Sequence, residues 1–278
     1  MFKSLSHIYL FIFSILLWHN AAFASERIAV VGSTTVLPII SQAASQYHKL
    51  HPDIIITVSG GGSGVGIAAI IQGTAQLGMA SRETTKEEKT KLNGRINNIT
   101  IAADAVAVAV SKAVYESGMH QLSLQNIADI YRGNIRNWQT LGGENKPILV
   151  IDKEASRGTR HVFAKAVLGS SHARADGASI ISGSNNEEQS IISQSNQAIG
   201  MLSNAWLNDK VRGIDVLIDG KAISPSIKHV RDGSYPIARA LHVLLPKTAS
   251  PATQDFVKFL LSKQGQLIVK NVGYLPVQ

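Results

Sequence analysis

Three short segments rich in glycine, serine and threonine lie where a predicted strand gives way to a helical pattern. They are residues 32–35 (Gly-Ser-Thr-Thr), 61–64 (Gly-Gly-Ser-Gly) and 156–160 (Ser-Arg-Gly-Thr-Arg). A helix N-terminus offers unpaired N–H donors and a positive dipole end, and hydroxyl groups add further donors. For any one segment alone, an ordinary helix cap is the better explanation. Three in one chain, with a further strand ending at Ser81-Arg82, favour a buried site for an oxyanion.

A single carboxylate interrupts the long apolar stretch at residues 99–110. Asp104 is costly to bury there unless a donor faces it. It could contact the ligand, accept hydrogen bonds from neighbouring backbone N–H groups, or pair with Arg82. We favour the ligand contact, because this stretch is long enough to carry the chain from one lobe into another.

No sequence signature of an enzyme accompanies these segments. The chain lacks a Walker A motif, His-Glu-x-x-His, Gly-x-Ser-x-Gly and Ser-x-x-Lys. His48 and His51 are three residues apart, but such a pair near the end of a helix is typical of a solvated surface. We therefore predict a protein without enzymatic activity, metal or cofactor.

The composition is that of a compact globular protein. Of 278 residues, 45% are hydrophobic and 17% charged, and cysteine is absent, which excludes a disordered chain and a disulfide scaffold. The 27 Lys and Arg residues against 19 Asp and Glu give a net charge of +8. Because no three basic residues are adjacent, the positive electrostatic field of the protein is diffuse. Such a field suits the attraction of small anions rather than the binding of nucleic acid.

The N-terminus has the pattern of a secretory signal peptide. Lys3 precedes an apolar stretch at residues 8–18, which is too short to span a bilayer, and Ala22-Phe23-Ala24 forms a small-x-small cleavage site. We predict that residues 1–24 are removed before Ser25. With no cysteine to carry a lipid anchor, the expected product is a soluble periplasmic monomer.

The rest of the chain alternates short apolar runs with helical patterns, which predicts an α/β protein with mainly parallel sheets and helices on both faces. Strands are expected at residues 28–31, 54–58, 76–80, 148–151 and 240–245, and helices after 36, 159 and 253. We expect residues 25–104 and 234–278 to form lobe I, and residues 105–233 to form lobe II.

Several motifs together resemble the periplasmic phosphate-binding protein of high-affinity phosphate ABC importers. They occur in order at residues 32–38, 60–64, 78–83, 131–138, 158–160, 198–200 and 273–276. The resemblance spans nearly the whole chain after the signal peptide. It implies a two-lobed type II periplasmic-binding fold with two crossing hinge strands. It also implies that the ligand is inorganic phosphate and that the partners are membrane permease subunits and an ATPase.

The resemblance carries the family's phosphate-binding positions onto residues of both lobes. Lobe I and its hinge strand contribute Ser33, Thr34, Thr35, Ser63, Gly64, Ser81, Arg82 and Asp104. Lobe II contributes Gly158 and Thr159. Arg157 occupies the position of the family's serine, either as a ligand itself or directed into solvent with Ser156 taking over the hydroxyl role. In this assignment Asp104 accepts the proton that distinguishes phosphate from sulfate, and Arg82 neutralises the anion from lobe I. Lys153, Arg157 or Arg160 does so from lobe II.

The loop of lobe II departs from the family pattern. The family usually has Arg-Glu-x-x-Ser-Gly-Thr-Arg, whereas residues 153–160 read Lys-Glu-Ala-Ser-Arg-Gly-Thr-Arg. Lysine keeps the charge but loses the bidentate fork, and Arg157 stands where a small hydroxyl would donate. Alternatives that stay open are a receptor for sulfate or molybdate and a secreted phosphate-ester hydrolase.

Overall fold

The structure is a computed structural model that describes residues 25–277, so the predicted signal peptide lies outside the described residues. The strands are β1 (Glu26–Gly32), β2 (Ile54–Gly60), β3 (Leu77–Ala80), β4 (Ile96–Ser111), β5 (Gln121–Ser123), β6 (Leu149–Lys153), β7 (Ile180–Ser182), β8 (Ala198–Ser203), β9 (Val211–Ile218), β10 (Lys221–Ile223), β11 (Ala238–Pro246) and β12 (Leu275–Pro276). The α-helices are α1 (Leu37–Leu50), α2 (Ser63–Gln72), α3 (Lys86–Leu92), α4 (Lys112–Glu116), α5 (Leu124–Arg132), α6 (Gly158–Leu168), α7 (Asn185–Gln194), α8 (Ile227–Arg231), α9 (Pro251–Leu261) and α10 (Lys263–Val272). Short 3-10 helices cover Trp138–Leu141 and Asn204–Trp206.

Helix α1 shows how the sequence pattern becomes structure. Its apolar residues recur at helical spacing, and the side chains of this face are buried against the sheet. Pro38 lies in the first turn, where its missing N–H costs nothing. The helix ends at Leu50, shortly before Pro52, which would disfavour its continuation.

The strands form two units with parallel cores, joined by antiparallel strands. In the first, β1 pairs in parallel with β2 and β3, and β11 and β12 add antiparallel strands around the first half of β4. In the second, β6 pairs in parallel with β7 and β8, and β9 pairs with β4, β5 and β10. The predicted α/β class is confirmed. Antiparallel pairing is more extensive than expected, because β4 and β11 pair along most of their length.

Strand β4 runs through both units. It pairs with β11 up to Ala105 and with β8 from Val106 onward. The chain returns beside it, where the Val106 N–H donates to Ile237 O (2.8 Å). These are the two crossing strands that the fold class requires, and we refer to the units on either side of them as lobe I and lobe II.

Each lobe has a hydrophobic core of its own. Tyr47, Phe256 and Tyr274 belong to the core of lobe I, and Trp138 and Phe163 to that of lobe II. In the described part of the chain, no helix combines the length and apolarity needed to cross a membrane.

Candidate anion-binding site

The loop after β1 supplies the first group of polar atoms. Ser33 and Thr35 are buried, and the Thr35 N–H donates to Ser33 Oγ (3.2 Å). The hydroxyl of Tyr274 donates to Thr35 O (2.8 Å), which fixes the loop to the C-terminal segment. Thr34, between them, is partly exposed. The first segment singled out in the sequence is therefore held rigidly at the carboxyl end of β1.

Ser63 and Ser81 form the second group. Ser63 begins α2, and its Oγ accepts a hydrogen bond from the Ser81 N–H (2.9 Å). The two hydroxyl oxygens lie 3.2 Å apart, and both residues are buried. A side chain at Gly158 would collide with both hydroxyls, which explains why glycine begins α6. The N-termini of α2 and α6 therefore face each other across the lobes.

Two contacts from lobe II close the arrangement. Thr159 Oγ1 lies 3.4 Å from Thr35 Oγ1, and the Gly64 N–H donates to Ser156 O (3.0 Å). Predicted site residues of both lobes are thus in direct contact. Because these hydrogen bonds join residues of the two lobes directly, the structure shows the lobes in a closed arrangement.

Arg239 lies at the centre of these groups, although it was not among the site residues predicted from the sequence. Its Nε and Nη2 donate to Asp104 Oδ2 (3.0 and 2.7 Å). Nη2 also donates to Thr35 Oγ1 (3.1 Å), and Nη1 donates to Thr159 Oγ1 (2.9 Å). Arg239 is only 7% exposed. One guanidinium therefore links the first loop, the hinge strand and lobe II.

Asp104 faces Arg239 directly across the paired strands β4 and β11. Of the three environments considered for Asp104, the structure shows an ion pair, formed with Arg239 rather than with Arg82. Its Oδ1 accepts a further hydrogen bond from Ser203 Oγ (2.9 Å). Burial raises the pKa of Asp104, and the positive charge of Arg239 opposes that rise.

Arg82 is directed away from this centre. Its Nη1 and Nη2 donate to the two carboxylate oxygens of Glu88 (2.7 and 2.8 Å), and Nη1 also donates to Glu83 O (2.8 Å). Glu88 in turn completes a capping box with Thr85 at the start of α3. These interactions hold the pKa of Glu88 below its usual range despite partial burial.

The cations of the lobe II loop are also paired with carboxylates. The Arg157 Nε donates to Glu154 Oε2 (2.8 Å), and Arg157 stands so close over Gly62 that a side chain there would collide with it. Lys153 forms a fully buried ion pair with Glu188. Burial lowers the pKa of Lys153 and raises that of Glu188, and the attraction between the two opposes both shifts.

Arg160 and Asn185 complete the surroundings of the site. Arg160 pairs with Asp152 and donates to Ser171 O (2.9 Å). These interactions stabilise the lobe II loop at residues 153–160. Asn185, at the start of α7, is buried, and its Nδ2 donates to Thr35 Oγ1 (3.0 Å) across the lobes. Asn185 was missed in the sequence because an asparagine near a helix start is typical of capping.

His161 provides a test of the interlobe electrostatics. It is half-buried on α6, and desolvation together with the positive charge of Arg82 lowers its pKa. The unfolded chain therefore binds a proton at His161 more readily than the folded chain does. The contribution of His161 to the free energy of unfolding is fully present above about pH 6.5 and is lost as the pH falls. We expect the Tm to fall between neutral pH and about pH 5.5, and His161→Gln to reduce that fall. The same substitution at exposed His120 is the control. An equal pH dependence of the Tm in both variants would contradict the assignment of this pH dependence to His161.

Across residues 25–277, no group of three or more His, Asp or Glu side chains is arranged to hold a metal ion. The chemistry of the site is that of donors, namely hydroxyl groups, backbone N–H groups at two helix N-termini, and one guanidinium. Such an arrangement can bind a small oxyanion.

Comparison with known proteins identifies the family. The model of the PBP superfamily domain matches residues 19–264. The chain is 32% identical over 261 residues to the phosphate-binding protein PstS of Bacillus subtilis (strain 168), which covers 91% of this chain and 82% of the relative.

Solved structures agree with this result. A Clostridium perfringens protein described as a phosphate ABC transporter substrate-binding protein, solved with bound phosphate, superposes with a TM-score of 0.82 at 29% identity. It covers 91% of this chain and 100% of that one. An ABC-type phosphate transport receptor from Vibrio cholerae superposes with a TM-score of 0.71 at 27% identity, covering 89% and 99%. The chain therefore belongs to the PBP superfamily and, within it, to the family of phosphate-binding proteins of ABC importers.

Proposed function

We propose that this protein captures inorganic phosphate between its two lobes and delivers it to the permease subunits of an ABC importer, whose ATPase drives uptake. The observation that carries this proposal is the convergence of the three loops and Arg239 on one buried point, with contributions from both lobes. Membership of the family supports the same conclusion. The relatives are named as binding proteins, which supports a receptor rather than an enzyme.

The anion is held chiefly by hydrogen-bond donors. In this assignment Ser33, Thr34, Thr35, Ser63, Gly64, Ser81, Ser156, Gly158 and Thr159 supply hydroxyl and backbone donors. Arg239 supplies the positive charge, and Asp104 orients its guanidinium. Arg82 contributes at a distance, since its guanidinium faces Glu88. Arg157 covers the mouth of the site above Gly62.

Closure follows from mass action. A ligand that contacts Thr35 and Thr159 together binds the closed arrangement better than the open one, and so shifts the population toward it. We place the lobe boundaries at residues 104 and 234, where β4 enters lobe II and the chain returns. The protein acts outside the cytoplasmic membrane as a monomer after removal of residues 1–24.

Another oxyanion is the second candidate. Both oxygens of Asp104 already accept hydrogen bonds, from Arg239 and Ser203. A carboxylate occupied in this way is poorly placed to accept a hydrogen bond from the proton of phosphate. The decisive quantity is therefore the ratio of the affinities for phosphate and sulfate.

The test is calorimetric titration of protein that has been unfolded and refolded to remove bound anion. We expect saturable binding of phosphate near neutral pH with one site per chain. A response to sulfate or molybdate of equal strength would make the protein a general oxyanion receptor. Absence of binding by all three anions would refute the proposal.

A further inference from the structure

Asn185 reaches from lobe II to the first loop of lobe I without capping its own helix. It is the first residue of α7, but the cap of that helix is Ser184, whose Oγ accepts a hydrogen bond from the Glu187 N–H (3.2 Å). Asn185 is only 1% exposed, and its Nδ2 donates to Thr35 Oγ1 (3.0 Å). The amide of Asn185 therefore serves the site rather than the helix start.

The first turn of α7 is anchored by the buried ion pair of lobe II. Lys153 pairs with Glu188 of α7, and its Nζ also donates to Ser184 O (3.3 Å). Glu188 in turn accepts a hydrogen bond from the Met201 N–H of β8 (2.7 Å). Because Asn185 directly follows Ser184, its amide is held in a fixed position relative to lobe II. Such support is what a residue needs in order to orient another group.

The hydrogen bonds of Thr35 Oγ1 determine where its proton can point. A hydroxyl oxygen has two lone pairs and one proton. Asn185 Nδ2 and Arg239 Nη2 both donate to Thr35 Oγ1, at 3.0 and 3.1 Å. Since these two donors occupy both lone pairs, the Thr35 hydroxyl can act toward any third partner only as a donor.

The third neighbour of Thr35 Oγ1 is a weak acceptor for this proton. Among the described residues it is Thr159 Oγ1, at 3.4 Å, whereas hydrogen bonds between hydroxyl groups usually span about 2.5–3.0 Å. Thr159 Oγ1 also already accepts a hydrogen bond from Arg239 Nη1 (2.9 Å). An oxyanion held between the lobes offers a stronger acceptor than Thr159 does.

We propose that Asn185 is a positioning residue for the bound anion. Its amide occupies one lone pair of Thr35 Oγ1 and thereby directs the Thr35 proton toward the anion. Lobe II in this way prepares a ligand contact that lobe I makes. The inference rests on the proposed capture of an oxyanion between the lobes, but it does not require that the oxyanion be phosphate.

The experiment is calorimetric titration with phosphate of Asn185→Ala in three backgrounds, namely unsubstituted, Thr35→Ser and Thr35→Val. Where residue 35 carries a hydroxyl, we expect Asn185→Ala to weaken binding about tenfold, because the hydroxyl is no longer held toward the anion. In the Thr35→Val background, which lacks the hydroxyl, the further loss should be no more than about twofold. Asn186→Ala, at the exposed neighbouring position, is the matched control and should leave phosphate affinity within about twofold.

Two results would overturn the inference. One is an equal loss from Asn185→Ala in all three backgrounds, since Asn185 would then act without the Thr35 hydroxyl. The other is unchanged affinity of Asn185→Ala in the unsubstituted background. Denaturant unfolding checks that each variant is folded.

Asn185→Asp gives an independent measurement with a side chain of the same shape. A carboxylate accepts the Thr35 proton instead of directing it to the ligand, and its charge repels the anion. We therefore expect Asn185→Asp to weaken phosphate binding more than Asn185→Ala does. Affinity equal to that of the unsubstituted protein would contradict the role of Asn185.

The same titrations separate this inference from the proposed function. If phosphate binds and the effect of Asn185→Ala does not depend on residue 35, only this inference fails. If the unsubstituted protein binds sulfate or molybdate but not phosphate, the proposed function fails, and the series is measured with that anion. A protein that binds none of the three anions would overturn both.

Discussion

Replacement of Arg239 by lysine is expected to weaken phosphate binding roughly 100-fold, the largest effect on affinity that we foresee for one residue. The guanidinium donates to Asp104, Thr35 and Thr159 from one rigid plane. Lysine keeps the charge, but its ammonium is a compact donor that cannot reach all three partners in the same geometry. The measurement is calorimetric titration with phosphate.

Arg82→Lys is the matched control for this prediction. Both arginines are buried and both pair with a carboxylate, but Arg82 donates to Glu88 and lies away from the converging loops. We expect its substitution to change phosphate affinity by no more than about threefold. If Arg82→Lys abolishes binding and Arg239→Lys does not, Arg82 is the anion's cation, as the sequence suggested, and Arg239 is structural.

The largest effect on stability is expected from Lys153→Met. This substitution leaves Glu188 fully buried without its cation, and breaking such a pair from one side costs about 3–5 kcal/mol. The remaining hydrogen bonds, from the Met201 N–H and Ser182 Oγ, compensate only in part. Denaturant unfolding of the refolded variant would show the loss as a lower midpoint.

A double substitution separates the ion pair from simple packing. Lys153→Met combined with Glu188→Met removes both charges and keeps similar volumes, so most of the lost stability should return. A double variant as unstable as the sum of its single variants would show that the two residues act independently. The cost of Lys153→Met should also shrink at acidic pH, because a protonated Glu188 no longer needs a cation.

Local features of the fold could be predicted from the sequence. The apolar spacing of α1, the two prolines near its ends and the glycine-rich loops all depend on neighbours in the chain, and the structure places these elements as expected. The short strands β5 and β10 and helix α10 were not predicted, since tertiary packing rather than pattern determines such elements.

The arrangement at the centre of the site could not be predicted from one sequence, because it depends on which distant residues pair. Arg239 interrupts an apolar strand just as Asp104 does, and this signal could have marked it. Its pairing with Asp104 follows from the register of β4 and β11, which joins residues 135 positions apart. The pairing of Arg82 with Glu88 could have been inferred from the sequence. Thr85 and Glu88 have the spacing of a capping box, which places the Glu88 carboxylate close to Arg82.

The ion pairs around the site have a consequence for motion. Asp104–Arg239 and Arg82–Glu88 lie in lobe I and its hinge strand, and Lys153–Glu188 and Arg157–Glu154 lie in lobe II. Within residues 25–277, no ion pair joins one lobe to the other, and the direct links among site residues are hydrogen bonds of Thr35, Gly64, Thr159 and their partners. Separation of the lobes therefore pulls no opposite charges apart. Because opening breaks no ion pair, ionic strength should alter the capture of the anion far more than the movement that releases it.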